Sequence, residues 1–262
     1  MIDVQNQPDH RRINIQKVGI KDINYPVIVL DRANEIQHTV ARVNMYVDLP
    51  HQFKGTHMSR FIEVLNKYHG EINPKTFLDI LDELRESLDA KSAHVEMTFP
   101  YFINKKAPVS GEESLMEYRC SYTGVVNEDK RNFLVGIQAP VNTLCPCSRE
   151  ISDRGAHNQR GIVTVMLESK KFFWLEDVIK LIEGNASSDV YSLLKREDEK
   201  LLTERAYDNP MFVEDVVREI ALHLNRDDNF TWFSVEAENF ESIHNHSAYA
   251  YVEKRTESEQ IT

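Results

Sequence analysis

Apolar residues recur along this chain in two patterns, one typical of strands and the other typical of helices. From Thr39 to Val47 apolar and polar residues alternate, which predicts a half-buried strand. After Thr56 the apolar residues recur at spacings of three and four, which predicts a helix with one buried face. Asn73-Pro74 precedes a second pattern of this kind, with Asn as the helix cap and Pro in the first turn.

The same reading along the whole chain predicts an order of elements that occurs twice. The predicted strands of the first half are Arg12–Leu30 (two short runs), Thr39–Val47, Ser92–Phe102 and Leu115–Val126. Those of the second half are Asn132–Thr143, Gly161–Glu168, Phe230–Asn239 and Ser247–Glu253. Its predicted helices are Phe172–Ile182, a short piece at Val190–Arg196 and a longer helix that begins at Asn209-Pro210.

This order suggests a duplicated unit of two strands, two helices and two strands. The Asn-Pro pairs at 73 and 209 lie 136 residues apart, and Val95-Glu96 matches Val235-Glu236 at an offset of 140. We therefore expect an α+β protein with one unit at 1–128 and a second at 129–262. The polar residues 1–12 are expected to form a flexible arm.

Composition narrows the class of protein. Of 262 residues, 41% are apolar and 28% charged, which is ordinary for a globular chain, and no apolar run is long enough for a membrane span. The N-terminus lacks the pattern of a secretory signal, and three cysteines, an odd number, make no disulfide framework, so we expect a cytoplasmic protein with reduced thiols.

The net charge of −11 argues against a nucleic-acid-binding surface. A phosphate-bearing small molecule needs only a local cluster of positive charge. Candidate clusters are Lys54/His57/Arg60 and Arg149/Arg154/Arg160.

The segment Thr143–Ser148 holds two of the three cysteines, and His157 follows 12 residues after Cys145. If the backbone stays extended, Cys145 and Cys147 face the same side. Two thiols with an imidazole nearby can form a metal-assisted hydrolytic site. The alternative is that both cysteines are small buried hydrophobic residues. Cys120, in a strand-like run, is expected in the core.

Five short runs, taken together, resemble the type IB GTP cyclohydrolases. They are Lys54–Arg60, Leu144–Ser148, Gly155–Arg160, Thr203–Pro210 and Ile243–Ser247. Each run is weak alone, but five in the same order across residues 54 to 247 are specific. The resemblance implies the tunnelling fold, with two units per chain, each an antiparallel sheet backed by two helices. It also implies a homotetramer with active sites at the subunit interfaces.

The resemblance implies an activity as well: conversion of GTP and water to 7,8-dihydroneopterin triphosphate and formate, the first step of tetrahydrofolate biosynthesis. One divalent metal per site, with zinc favoured over manganese or iron, would lower the pKa of its bound water. No redox cofactor, nucleic acid or membrane is implied.

Site residues follow from the same resemblance. Cys145, His157 and Glu199 would hold the metal, with Glu197 and Glu204 as rivals of Glu199. Cys147 would be a reactive group beside the substrate, and the two thiols could exchange roles. A thiolate, an imidazole and a carboxylate suit zinc without excluding iron or manganese.

The remaining candidates concern substrate and protons. Glu214 would bind the purine edge; the alternative is an exposed surface glutamate. His246 with Glu241 would transfer protons, with His244 near the substrate; the alternative is ordinary loop histidines. His57, Ser59 and Arg60 would bind the triphosphate at a helix start, although Thr56 as a simple helix cap would need no function.

Two other functions remain open. One is a related tunnelling-fold enzyme that acts on GTP or a pterin and gives a cyclic phosphate product. The other is a non-catalytic metal-binding protein on the same scaffold.

Overall fold

In the computed structural model, which describes Gln5, residues 7–68 and residues 72–254, the chain forms two compact units. The first comprises Met1–Pro100 with Cys120–Val135, and the second comprises Tyr101–Arg119 with Gly136–Thr262. Each unit is therefore built from two separate stretches of the chain. The division into residues 1–128 and 129–262 stays a prediction.

The first unit contains a long antiparallel hairpin of β1 (Ile15–Asp31) and β2 (Glu35–Leu49), followed by the first part of β3 (Ala93–Lys106), which pairs with β2. The two short runs predicted at Arg12–Leu30 are one strand with irregular register at two places. Gly19 is required here, because a Cβ at this position would lie 2.0 Å from the carbonyl oxygen of Met45.

Two helices, α1 (Met58–Lys67) and α2 (Pro74–Ser87), complete the first unit. The predicted cap of α2 is confirmed, since Asn73 Oδ1 accepts the amide of Thr76 at 3.3 Å. Phe77 of α2 packs on the rings of Tyr122 and Phe133, whose centroids lie 5.7 and 5.2 Å away. These rings belong to β4 (Glu113–Val126) and β5 (Arg131–Leu144).

In the second unit, β6 (Asn158–Ser169), β8 (Phe230–Asn239) and β9 (Ala248–Glu253) are antiparallel neighbours. The short strand β7 (Ser188–Asp189) pairs with β5. The helices are α3 (Pro146–Ile151), α4 (Leu175–Gly184), α5 (Arg196–Asp208) and α6 (Val213–Asn225), and α6 packs against β8 and β9. Antiparallel strands backed by helices confirm the predicted fold class.

Helix α5 is the main difference from the sequence prediction. The short helix predicted at Val190–Arg196 is wrong, because the helix begins where that piece was expected to end. The charge-rich segment after Lys195 lacks a strong apolar stripe, so its periodicity gave little signal. Its start is fixed instead by Asp198, whose Oδ2 accepts the amide of Lys195 at 2.9 Å.

The predicted start of α6 at Asn209-Pro210 is also wrong. Asn209 closes α5, and its side-chain amide donates to the carbonyl of Ala186 at 3.0 Å. Helix α6 begins after Phe212, whose amide donates to Asp215 Oδ2 at 3.0 Å. The Asn-Pro pairs at 73 and 209 therefore have different structural roles.

The expected flexible arm, residues 1–12, falls partly outside the described residues, which omit 1–4 and 6. In its described part, the carbonyls of Gln5 and Gln7 accept the amide of Lys54 at 3.0 and 2.8 Å. This part of the segment is thus bound along residues 54–55. No helix in the described ranges is long and apolar enough to cross a membrane.

Asp198 joins the start of α5 to the turn between β3 and β4. Its carboxylate is completely buried and accepts the amides of Val109 and Ser110 at 2.8 and 2.9 Å, and the Ser110 hydroxyl at 2.6 Å. Burial alone raises the pKa of Asp198, but the hydrogen bonds from Ser110, Lys195 and Val109 outweigh it and hold the pKa well below its ordinary value.

We expect Asp198→Asn to lower the melting temperature at neutral pH, because an amide nitrogen replaces one of the accepting oxygens. The stabilisation that comes from a depressed folded-state pKa is complete above the unfolded pKa of about 3.9, and it declines gradually as the pH falls from there towards the folded-state pKa. The difference between wild type and variant, measured by thermal unfolding from pH 7 to pH 3, should therefore shrink on acidification. Asp208→Asn, exposed on the same helix, is the control; a constant difference across this range would contradict the assignment.

Candidate functional site

The segment Thr143–Ser148, which holds two of the cysteines, forms the end of a strand and the start of a helix. Strand β5 ends at Leu144, and Cys145 is the N-cap of α3, with Pro146 in the first turn. Cys147 is helical and exposed, while Cys145 is half-buried. The expectation that the two thiols face one side of an extended backbone is therefore wrong, because proline favours the first turn of a helix and extends only the residue before it. Cys120, by contrast, is fully buried as predicted.

Ser148 connects Cys145 to His157. Its amide donates to Cys145 Sγ at 3.4 Å, and its hydroxyl accepts the amide of His157 at 3.2 Å. The backbone of Cys145 also donates to the carbonyl of His157 at 3.1 Å. The structure thus brings the backbones of Cys145 and His157, two of the three predicted metal ligands, next to each other through short local contacts.

The His157 ring lies against two further polar groups. Its Nδ1 is 3.0 Å from Gln159 Oε1 and 3.7 Å from Glu241 Oε2. Gln159 is buried and directs its amide nitrogen at Thr143 Oγ1, 2.9 Å away, on the neighbouring strand β5. The predicted proton-transfer residue Glu241 therefore has a close contact with His157.

Glu199, the third predicted ligand, lines a cleft of about 420 Å³ in the second unit. Asn158, Gln159 and Arg160, the residues directly after His157, line the same cleft, as do Asp189 and Tyr191. Its rival Glu204 is paired with Lys200 at 2.7 Å, one helical turn away. The position of Glu199 therefore fits a role in this cleft better than that of Glu204.

Within Gln5, 7–68 and 72–254, no group of three or more His, Cys, Asp or Glu side chains is arranged to hold a metal ion. That Cys145, His157 and Glu199 share one ion therefore stays a prediction. Helices α3 and α5, which carry Cys147 and Glu199, are nevertheless connected, since the guanidinium of Arg149 lies 4.7 Å from the ring centroid of Tyr207.

A buried ion-pair network supports one wall of the cleft. Lys105 Nζ lies 2.8 Å from Glu183 Oε1 and 3.3 Å from Asp189 Oδ2. The ammonium also lies 4.1 Å from the ring centroid of Tyr191. Burial and, to a lesser extent, the negative charge of Asp189 raise the pKa of Tyr191. Its hydroxyl therefore stays protonated and donates to the carboxylate of Asp189. Arg205 Nη1 also lies 3.5 Å from Asp189 Oδ1, so two cations face two carboxylates at this wall.

The remaining candidates of the second unit are exposed. His244 and His246 lie in an irregular segment rather than on an extended one, and their rings stack with centroids 5.1 Å apart. Glu214 is exposed in the first turn of α6. The structure leaves their predicted roles untested.

The candidate triphosphate residues belong to the first unit. His57 is the N-cap residue of α1, with no capping bond from its side chain, and Ser59 is exposed. Arg60 Nη1 donates to the carbonyl of Ser87 at 2.8 Å, which holds α1 to the end of α2. Arg60 therefore has at least one structural role.

Sequence reasoning gave no role to Gln159, Thr143 or Asp198. A signal for Gln159 was present, because residues two apart on a strand share a face, and Gln159 follows His157 at this spacing. Thr143 and Asp198 carried no comparable signal, since their partners are distant in sequence.

Comparison with known proteins identifies the family. A family model described as type I GTP cyclohydrolase folE2 matches residues 1–250. The chain is 66% identical to GTP cyclohydrolase FolE2 of Syntrophus aciditrophicus over 97% of this chain and 100% of that protein. It is 59% identical to GTP cyclohydrolase FolE2 of Syntrophotalea carbinolica over 97% of this chain and 95% of that protein.

Among solved structures, the chain is similar to a uricase from Arthrobacter globiformis, with a TM-score of 0.54 at 6% identity, covering 94% of this chain and 96% of that one. A uricase from Bacillus fastidious gives a TM-score of 0.55 at 7% identity, covering 92% of both chains. At this identity the likeness concerns the fold, and it confirms the tunnelling fold. With the family match and the relatives above, the chain belongs to the type I GTP cyclohydrolase FolE2 family.

Proposed function

We propose that the second unit converts GTP and water to 7,8-dihydroneopterin triphosphate and formate around Cys145, Cys147 and His157. The observation that carries this proposal is the connection through Ser148. It places the backbone of His157 beside Cys145, while the thiol of Cys147 is exposed. Family membership supplies the activity, and this cluster supplies chemical groups for it. The product belongs to folate biosynthesis, as for the family.

The donor atoms of Cys145, His157 and Glu199 are of the types that bind a divalent ion. Cys145 Sγ is half-buried and accepts the amide N–H of Ser148, and a cysteine sulfur is a common ligand of zinc. The Nδ1 of His157 lies against Gln159 and Glu241, which leaves Nε2 as the nitrogen for an ion. Glu199 is the proposed third ligand, and zinc the proposed metal, with manganese or iron as alternatives. A bound ion of this kind lowers the pKa of its water to about 7.

The other residues have proposed roles in binding and proton transfer. Cys147 contacts the guanine ring as the reactive thiol, and Glu214 accepts hydrogen bonds from the ring N–H and the exocyclic amine. His246 transfers protons together with Glu241, and His244 contacts the substrate. The triphosphate binds His57, Ser59 and Arg60 of a neighbouring subunit; a guanidinium has five N–H donors, so the bond from Arg60 to Ser87 leaves others for phosphate.

We further propose a homotetramer with active sites at its interfaces. Exposed apolar side chains near the edge strand β9 support an interface there: Tyr249 is 60% exposed, Tyr251 50% and Ile243 67%. The cytoplasm is the proposed compartment, because all three cysteines are free thiols.

The reactive thiol is tested by Cys147→Ala. We expect formate release from GTP to fall by about 10²–10⁴-fold, the range for loss of a positioned reactive group, while the circular dichroism spectrum and melting curve stay unchanged because the side chain is exposed. Cys120→Ala is the control with an intact site. Unchanged turnover in Cys147→Ala would refute the role, and mass analysis of the wild-type product separates the linear triphosphate from a cyclic phosphate.

The third ligand is tested by comparing Glu199→Gln with Glu204→Gln on the same helix. We expect Glu199→Gln to weaken zinc binding by at least about 10-fold, because a neutral amide replaces a charged ligand. Glu204→Gln should leave zinc affinity unchanged, since Glu204 pairs with Lys200. Competition with a chromophoric chelator on metal-free protein gives the affinities; equal affinities in both variants would remove Glu199 from the metal site.

A further inference from the structure

A line of polar contacts runs from strand β5 through strand β6 to the ring of His157. Thr143 is completely buried, and its Oγ1 lies 2.9 Å from the amide nitrogen of Gln159. Gln159 is 6% exposed, and its Oε1 lies 3.0 Å from His157 Nδ1. Both partners of this amide, a hydroxyl and an imidazole nitrogen, can donate or accept, so a third group is needed to fix which end of the amide faces the ring.

The direction of these hydrogen bonds follows from Glu241. Its carboxylate Oε2 lies 3.7 Å from the same Nδ1 of His157, and an ionised carboxylate accepts but does not donate. A proton on Nδ1 is therefore favoured by both neighbours, the carboxylate and the amide oxygen. With Oε1 of Gln159 accepting from the ring, its amide nitrogen donates to Thr143.

We propose that Gln159 is a positioning residue that holds His157 in the tautomer protonated at Nδ1, so that Nε2 presents its lone pair to an incoming ion. The hydrogen bond on one ring nitrogen sets the availability of the other, which is why an outer partner of this kind strengthens metal binding. The effect on metal binding rests on the proposed metal site. The effect on the tautomer does not, because it concerns the metal-free protein.

A neutral amide suits this task because it supplies an acceptor without adding a charge. Glu241 also accepts, but at 3.7 Å it is too distant for a good hydrogen bond, and its side chain is 15% exposed. Gln159 is therefore the closer and more buried of the two partners. We infer that Gln159 sets the tautomer and that Glu241 reinforces it.

The tautomer is read directly from long-range proton–nitrogen correlation spectra of metal-free protein labelled with ¹⁵N. In wild type we expect the Nδ1–H pattern for His157, identified by its loss in His157→Gln. In Gln159→Met, which keeps the volume and removes the acceptor, we expect a shift towards the Nε2–H tautomer that imidazole favours in water. Gln159→Glu keeps an acceptor for Nδ1 and should retain the wild-type pattern.

Zinc affinity gives the second readout. We expect Gln159→Met to bind zinc about 10–100-fold more weakly than wild type, the usual cost of losing an outer-shell partner. Gln159→Glu should bind zinc within a few-fold of wild type. Gln138→Met is the matched control, because Gln138 donates to Thr164 at 3.3 Å, a second Gln–Thr pair between β5 and β6 that does not contact His157.

Several outcomes would overturn the inference: an Nε2–H tautomer in wild type, an unchanged tautomer in Gln159→Met, or equal losses of zinc affinity in Gln159→Met and Gln138→Met. If Gln159→Met does not fold, Thr143→Val tests the same contacts, because it removes the hydroxyl that holds the amide nitrogen of Gln159. We expect a partial shift of the His157 tautomer in this variant, and an unchanged tautomer would count against the inference. If wild type binds no divalent metal, the proposed metal site fails, and the tautomer still decides the role of Gln159.

Discussion

The candidate site depends on the hydrogen bonds that satisfy the buried backbone groups at the end of strand β5. The amide of Leu144 donates to Ser187 Oγ at 3.0 Å, and its carbonyl accepts the amide of Met211 at 3.1 Å. One residue later, the amide of Cys145 donates to the carbonyl of His157. Since an unpaired buried amide or carbonyl is costly, these bonds fix where the strand stops and the cysteine helix begins. These bonds also hold the backbones of Cys145 and His157 beside each other.

This constraint explains why the site uses residues from distant parts of the second unit. Ser187 precedes β7, and Met211 lies in the link between α5 and α6, so the bonds to Leu144 hold both segments at the strand end. Helix α5 is fixed independently at its start by Asp198 and beside α3 by the contact of Arg149 with Tyr207. Glu199 is therefore carried on a helix that is held at several places, which is the rigidity that a metal or substrate site needs.

The sequence predicts those features that are encoded locally. Alternation and helical periodicity gave nearly all the strands and the helices with a clear apolar face, including the bounds of β8. They failed at α5, whose start depends on a buried aspartate bonded to Val109 and Ser110, nearly ninety residues away. They failed again at Cys147, because a proline turns the chain from strand to helix within two residues. The five motifs led to the family. They did not identify Gln159 as the partner of the His157 ring, because a glutamine two residues further along a strand often has no contact with the earlier side chain.

The charge of the chain places a further requirement on the site. A protein of net charge −11 that binds a nucleoside triphosphate cannot rely on its overall field, which repels the substrate. At physiological ionic strength this repulsion is screened beyond about 8 Å, so the groups within that distance decide binding. In the second unit, Lys105 and Arg205 are already paired with acidic side chains, and Arg149 lies over Tyr207. Arg160 is exposed and lines the same cleft as Glu199, so this cleft carries a cation as well as a carboxylate. The local sign of charge in this cleft is thus set by a few side chains, and the acidic composition of the whole chain has little influence on it.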